Sequence, residues 1–197
     1  MKILVGTNNQ HKVMEIRRML PEFEIVTPKE VGIQADVVED GTTFEANALI
    51  KAKAFAEMSG LMTFADDSGL QVDCLNGEPG IYSARYCPKP GATDADRRAW
   101  LLENIRKGGY PKPWTARFYC AIVLIAPDGQ VYNVNGTCEG EITDAEQGAN
   151  GFGYDPVFFV PRFGKTLAQM TEDEKNAISH RGNAIRALRP ILASLEK

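Results

Sequence analysis

Short apolar runs alternate along the chain with stretches whose apolar residues recur at helical spacing. That mixture predicts intermixed strands and helices rather than segregated ones. Residues 2–6 predict a first strand, and a polar turn leads from it into a helix over about 11–20. Residues 24–27 predict a second strand. Thr42 and Glu45 are spaced as a capping box, worth about 1 kcal/mol at a helix start. Behind them Phe44, Ala48, Ala52, Phe55 and Ala56 form a stripe that should face a core, with Asn47 and Lys51 one turn apart on the opposite side. Residues 62–65 predict a short strand, broken by Asp66-Asp67-Ser68-Gly69 and resumed as extended structure over 70–73. Asp94 is placed to cap a helix running to about Arg106. Residues 115–126 and 130–136 predict two long strands around Pro127-Asp128-Gly129, where proline fixes φ and glycine permits a positive one. Thr171 and Glu174 form a second capping box, and the final helix behind them should bury Ile178, Ile185, Leu188, Leu192 and Leu195, with a bend at Pro190. The expected fold class is α/β with a mixed sheet.

Composition narrows the class. The 197 residues, 44% hydrophobic and 24% charged, suit one large domain or two packed lobes. The longest purely apolar run, residues 121–126, is far too short to span a bilayer and reads as a buried strand, so no membrane partner is expected. The strand that directly follows Met1, without a basic segment, predicts a cytoplasmic protein. Cys74, Cys87, Cys120 and Cys138 contain no C-x-x-C pair and only two histidines accompany them, so reduced, buried thiols are expected rather than a zinc site. A net charge of −4 argues against nucleic acid as a partner. An acidic chain that binds a polyphosphate must gather its cations in one place or use a metal.

Four constellations carry chemistry. Thr7-Asn8-Asn9-Gln10-His11-Lys12 joins a strand to a helix, where backbone amides and the helix dipole suit phosphate, although the P-loop pattern is missing. It also fits an ordinary helix start with solvated side chains. Glu39-Asp40-Gly41 and Asp66-Asp67-Ser68-Gly69 are acidic. Adjacent carboxylates need a cation or a raised pKa to coexist, and Mg2+ takes one or two of them together with phosphate and water oxygens. A remaining carboxylate could deprotonate water, while an Asp-rich turn explains the same string. Residues 148–155 offer glycines for close approach, Phe152 and Tyr154 as stacking faces and Asp155 as an acceptor; core aromatics in a glycine-rich loop are the alternative. Lys175 and Ser179-His180-Arg181-Gly182 lie on the last helix. Neighbours there point about 100° apart, so His180 and Arg181 share a direction only if Gly182 loosens the turn.

Taken in order, T-x-N-x-x-K, E-D-G-T-T-F-E-x-N-A, A-D-D-S-G-L-x-V-D, G-x-P-G-I-Y-S-A-R-Y, G-F-G-Y-D-P-x-F and E-K-N-x-I-S-H-R-G resemble the inosine/xanthosine triphosphate pyrophosphatases from Thr7 to Gly182. The resemblance implies an elongated mixed sheet flanked by helices, one catalytic domain over 1–197 in two lobes with the nucleotide cleft between them, a homodimer, and Mg2+ as cofactor. It implies hydrolysis of ITP, dITP and XTP to the monophosphate and pyrophosphate. Thr7, Asn8, Asn9, Gln10, His11 and Lys12 would bind the triphosphate with Lys51. Glu39 and Asp67 would hold the metal, Asp67 being also the general base, and Ser68 would touch substrate. Phe152, Gly153, Tyr154, Asp155, Lys175, His180 and Arg181 would enclose and read the purine. The chain departs from many relatives at Asn8, where glycine is common, and at His11, where a small residue is common. A pyrophosphatase for pyrimidine or modified triphosphates and a non-catalytic nucleotide-binding module are the competing readings. The S-H-R-G segment counts against the first, and the Glu39, Asp66, Asp67 set against the second.

Overall fold

Apolar alternation on the central strands decides where each helix can pack. In the computed structural model, which describes residues 1–196, the strands are β1 (Lys2–Val5), β2 (Glu24–Val26), β3 (Thr63–Val72), β4 (Trp114–Ile125), β5 (Val131–Ile142), β6 (Phe158–Val160) and β7 (Lys165–Thr166). The helices are α1 (Gln10–Met19), α2 (Phe44–Ser59), α3 (Asp94–Gly108), α4 (Glu172–Ile178) and α5 (His180–Leu195). Among the described residues the seven strands form one sheet in the order β2-β1-β3-β4-β5-β6-β7. β1 runs parallel to β2 and β3, whereas β6 is antiparallel to both β5 and β7, so the sheet is mixed as expected. No helix among the described residues is long and apolar enough to cross a membrane.

The chain divides into two compact units, the first made of Met1–Asp67, Cys120–Gly136 and the segment from His180 onward, the second of Ser68–Tyr119 and Thr137–Ser179. In the first unit, alternate residues of β3 and β4 enter different clusters. Phe64, Cys120, Ile122 and Leu124 pack with Ile16, Leu20, Ala184, Ile185, Leu188 and Leu192, while Ala65 and Val123 pack with Ala48 and Ala52 of α2. Period-two side-chain direction produces this division. The small residues on the α2 side let the helix lie close. Gly6 belongs to the same arrangement, since a Cβ there would stand 2.9 Å from the Phe55 ring. The second unit buries Leu70, Leu101, Ile105, Phe118, Phe158 and Leu167 in its own core.

Several expectations change. Asp66-Asp67-Ser68-Gly69 is not a turn: β3 runs unbroken through it, because β3 is flanked by β1 and β4 and its charges have partners. The helix cap at α2 is Thr43, whose side chain accepts from the Ala46 amide, so the Thr42–Glu45 box does not form. At α3, Thr93 caps with Asp96 in a true capping box and Asp94 is the first helical residue. β5 extends six residues beyond its expected end, to Ile142. The expected single last helix is two: Thr171 and Glu174 do form their box on α4, but Ser179 is extended and α5 starts anew at His180. Ile178 accordingly packs in the second unit's core, while the α5 apolar residues pack in the first. Two of the four thiols, Cys120 and Cys138, are buried; Cys74 and Cys87 are half-buried, and all are free.

The α5 start leans directly on β5. A methyl group at Gly136 would collide with the His180 carbonyl and the Ala184 amide, which are backbone and cannot swing away. Gly136→Ala is therefore expected to destabilise the protein by about 1–3 kcal/mol, the usual range for overpacking. Urea unfolding measures it, and an unchanged midpoint would mean that this close approach is absent in solution.

Candidate active site

β3 places Asp66 and Asp67 on opposite faces, because consecutive strand residues point opposite ways. Their surroundings differ accordingly. Asp66 is fully buried, with its Oδ2 accepting from Lys12 Nζ at 2.9 Å and Arg181 Nη2 at 3.3 Å, and the Cys120 thiol lies 3.9 Å away. Arg181 also pairs with Glu15 and is 2% exposed. Burial opposes ionisation of Asp66, yet the charges of Lys12, Arg181 and Lys51 outweigh it and hold the carboxyl well below the usual range. The same carboxylate, with burial as the larger cause, pushes the Cys120 thiol up to about 12, so this cysteine is a neutral packing residue. Asp66 Oδ1 is buried without a hydrogen-bond partner.

Asp67 meets a different environment. Its Oδ2 accepts from Asn47 Nδ2 at 3.1 Å, and the Asn47 Oδ1 accepts from the Gly41 amide at 2.9 Å. Asn47 thereby ties the Glu39-Asp40-Gly41 segment to the strand. A Cβ at Gly41 would stand 2.7 Å from Asn47 Oδ1, so the close approach suits glycine. Lys51, one helical turn on, holds Glu39 Oε2 at 2.8 Å. Burial raises the Asp67 pKa, with the Glu39 charge acting the same way and Lys51, Asn47 and Lys12 acting against it. A carboxyl with a raised pKa beside a second carboxylate is poised to exchange a proton or to welcome a cation.

The segment before α1 differs from the sequence expectation. Asn9 caps the helix, its Oδ1 accepting from the His11 and Lys12 amides at 3.0 and 3.3 Å, and Thr7 Oγ1 accepts from the Asn9 amide at 3.2 Å. Two of the amides expected to meet phosphate are thus capped by the loop's own side chain. That leaves Lys12 as the charge there, with Asn8 and Gln10 exposed along a cavity of about 550 Å³ whose lining includes Lys29.

The second unit holds Ser68, Phe152, Gly153, Tyr154, Asp155 and Lys175. Ser68 is half-buried on β3. Asp155 Oδ2 accepts from the Phe152 amide at 3.0 Å and pairs with Lys175 Nζ at 2.7 Å, and both charged side chains are buried. The Lys175 ammonium sits 4.8 Å from the Phe152 ring centre, a cation–π contact that holds the half-buried ring. Gly151, at φ 71°, is required because a Cβ would strike the Asp155 carboxylate. Tyr154 offers no stacking face. It joins the core, and its hydroxyl donates to the Ser83 carbonyl at 2.8 Å, since a buried phenol must find an acceptor. His180 and Arg181 are both buried at the start of α5, which begins directly after the extended Ser179 and continues unbroken through Gly182, so the turn is not loosened there.

The structure therefore gathers Lys12, Asp66 and Arg181 into one cluster, Glu39 with Lys51 and Asn47 with Asp67 into another, and Phe152, Asp155 and Lys175 into a third. Sequence reasoning noticed Asn47 only as a helix-face residue; its place in E-x-N-A, six residues after Gly41, was the available signal. Of the two residues that bond Gly153, Asp94 was expected only as a helix cap and Arg98 carried no signal. Among the described residues no group of three or more His, Cys, Asp or Glu is placed to hold a metal. The Glu39–Asp67 pair is instead the number of carboxylates that Mg2+ commonly takes, the rest of its shell being water and phosphate oxygens.

Comparison with known proteins identifies the family. The sequence pattern of the Ham1 family matches residues 3–191. A dITP/XTP pyrophosphatase of Lactobacillus acidophilus is 48% identical, covering 98% of each chain, and one of Treponema denticola is 46% identical over 94% of this chain and 95% of its own. The solved structure of the Staphylococcus aureus Ham1 protein superposes with a TM-score of 0.87 at 41% identity, covering all of both chains.

Asp66 should behave as a structural charge. Asp66→Asn leaves Lys12 and Arg181 short of a buried counter-ion, and about 3–5 kcal/mol of stability should be lost. The sign with pH follows from the depressed value. Asp66 contributes fully above its unfolded pKa, near 4, and its contribution fades as pH falls from there toward the folded value. Urea unfolding at pH 7, 5 and 3.5 should show a smaller acid-side loss in Asp66→Asn than in the unsubstituted protein; equal slopes would sink the assignment.

Proposed function

The chain belongs to the Ham1 family, and from that premise we propose that it hydrolyses the deaminated purine nucleoside triphosphates dITP, XTP and ITP to the monophosphate and pyrophosphate. The observation that carries this reading is the division of labour on β3. Asp66 is neutralised by Lys12 and Arg181, whereas Asp67, with its raised pKa, faces Asn47 and feels the Glu39 charge. The second carboxylate, which accepts from the Asn47 side-chain amide and has its pKa raised by burial, is the one suited to take a proton.

In this mechanism Asp67, oriented by Asn47, accepts a proton from a water whose oxygen bonds to the α-phosphorus. The bond from that phosphorus to the bridging oxygen breaks, and pyrophosphate leaves with the electron pair. Lys12 and Lys51 place positive charge against the phosphate oxygens, where charge builds as the transition state forms. Thr7, Asn8, Asn9, Gln10 and His11 line the phosphate side. The oxygen-only donor set fits a hard cation: Glu39 and Asp67 would hold Mg2+, which when bound supplies positive charge that neutralises the phosphates. Such a cation would also remove the penalty of two carboxylates ionised near each other.

The base is assigned to Phe152, Gly153 and Asp155 with Lys175, and to His180 and Arg181, with Ser68 touching the substrate. Tyr154 serves by fixing the loop. Hypoxanthine and xanthine present an acceptor at position 6, where adenine presents a donor. A buried donor facing adenine is left unpaired at a cost of about 1–3 kcal/mol, enough for roughly 10- to 100-fold discrimination. The working form is proposed to be a cytoplasmic homodimer, with no nucleic acid or membrane partner.

Incubation with ITP, XTP, GTP and ATP, with Mg2+ or a chelator, should yield monophosphate and pyrophosphate from ITP and XTP only, and only with metal. Orthophosphate as the product, or turnover undiminished by chelation, would refute the chemistry. Asp67→Asn should lower kcat by about 10²–10⁴ while nucleotide still binds; full activity would remove Asp67 from the role of base.

A further inference from the structure

The glycine-rich loop is gripped from outside by one turn of α3. That helix starts with a closed capping box: the Thr93 amide donates to Asp96 Oδ2 at 2.8 Å and the Asp96 amide to Thr93 Oγ1 at 3.2 Å. Asp96 is thereby committed to the cap, and Asp94 is available for something else. Asp94 Oδ2 accepts from the Gly153 amide at 2.9 Å, while Oδ1 is held by Arg97 at 2.7 Å. Arg98 Nη1 donates to the Gly153 carbonyl at 2.7 Å, and its Nε and Nη2 grip Glu146 bidentately at 2.8 and 3.1 Å. The backbone donor and acceptor of a single glycine are both taken by charged side chains one helical turn apart.

Gly153 is the residue where such a grip matters most. It sits at φ 61°, a conformation glycine adopts freely and leaves as freely. On one side of it Phe152 is fixed by Asp155 and Lys175, and on the other Tyr154 is anchored at Ser83. We propose that Arg98, backed by Glu146 and working with Asp94, is a positioning residue that holds the Gly153 peptide so that the Phe152 ring stands ready to stack on the base. This rests on the reading of residues 152–155 as the base side of the site. The Arg98–Glu146 pair taken alone is a rim ion pair of little stability value, since Glu146 is half-exposed. Its worth lies in where it puts the third Arg98 donor. A loop not already ordered must be ordered by the base at binding, and affinity falls by that amount.

The signature is a split between KM and kcat. Arg98→Ala should raise KM for ITP by about 10-fold, the weight of one hydrogen bond from a charged donor, with kcat within about 2-fold, because the reacting phosphates are held elsewhere. Arg98→Lys can meet Gly153 or Glu146 but not both, so its KM should fall between the two. Should Arg98→Ala not fold, Glu146→Ala, which leaves the arginine in place without its brace, should give the same split at smaller amplitude. Unchanged KM in these variants, or kcat falling as far as kcat/KM, overturns the positioning role. Failure of the unsubstituted protein to release IMP and pyrophosphate from ITP would instead overturn the functional reading on which it rests.

Discussion

Side chains on a strand must alternate between faces, and β3 carries two carboxylates in succession through the middle of the sheet. The alternation separates them before any electrostatics act. Asp66 enters the face where Phe64, Cys120 and α5 lie, so its charge is surrounded by apolar atoms and requires cations. Lys12 from α1 and Arg181 from α5 meet that need, which fixes where both helices start relative to the strand. Asp67 enters the α2 face, whose alanines leave room for Asn47 and Lys51 to come close. One buried ion cluster thus engages the first carboxylate, while the second meets Asn47 on the opposite face.

A buried salt bridge is seldom a net source of stability, since desolvation of both ions offsets their attraction. What this cluster does show is that the start of α5 is tied to β3 and α1 through Arg181. The break at Ser179 belongs to the same logic. A continuous helix would carry His180 and Arg181 around the axis with Lys175, whereas the extended residue lets α4 serve the second unit and α5 the first.

The second unit uses a different device, the immobilised glycine loop. Gly151 and Gly153 adopt conformations that other residues resist, and the freedom this gives the chain is then removed by Asp155, Lys175, Asp94 and Arg98. Flexible residues held by charged hydrogen bonds give a defined surface above the core that Tyr154 enters. Phe152 is the side chain that this defined surface presents.

By itself the sequence determined the kinds of element and most of their order. Local patterns were enough for β1, α1, β4, the turn at Gly129 and the Thr171 cap, since these depend on neighbours a few residues away. The candidate roles of Asp67, Glu39, Lys51, Phe152 and Lys175 came from the resemblance of the ordered motifs to a known family, since each segment alone fitted an ordinary structural reading as well. Tertiary structure alone decided that Asp66-Asp67-Ser68-Gly69 continues a strand, that Asp66 is neutralised by residues 54 and 115 positions away, and that Tyr154 belongs to the core. It also decided that Asn9 would cap its own helix, and that Arg98 would reach Gly153 from 55 positions away. The physical reason is common to all of these: burial and charge pairing are properties of what the chain brings near from a distance. A window of local sequence records propensity, and propensity yields wherever a distant charge or an apolar face supplies the larger energy.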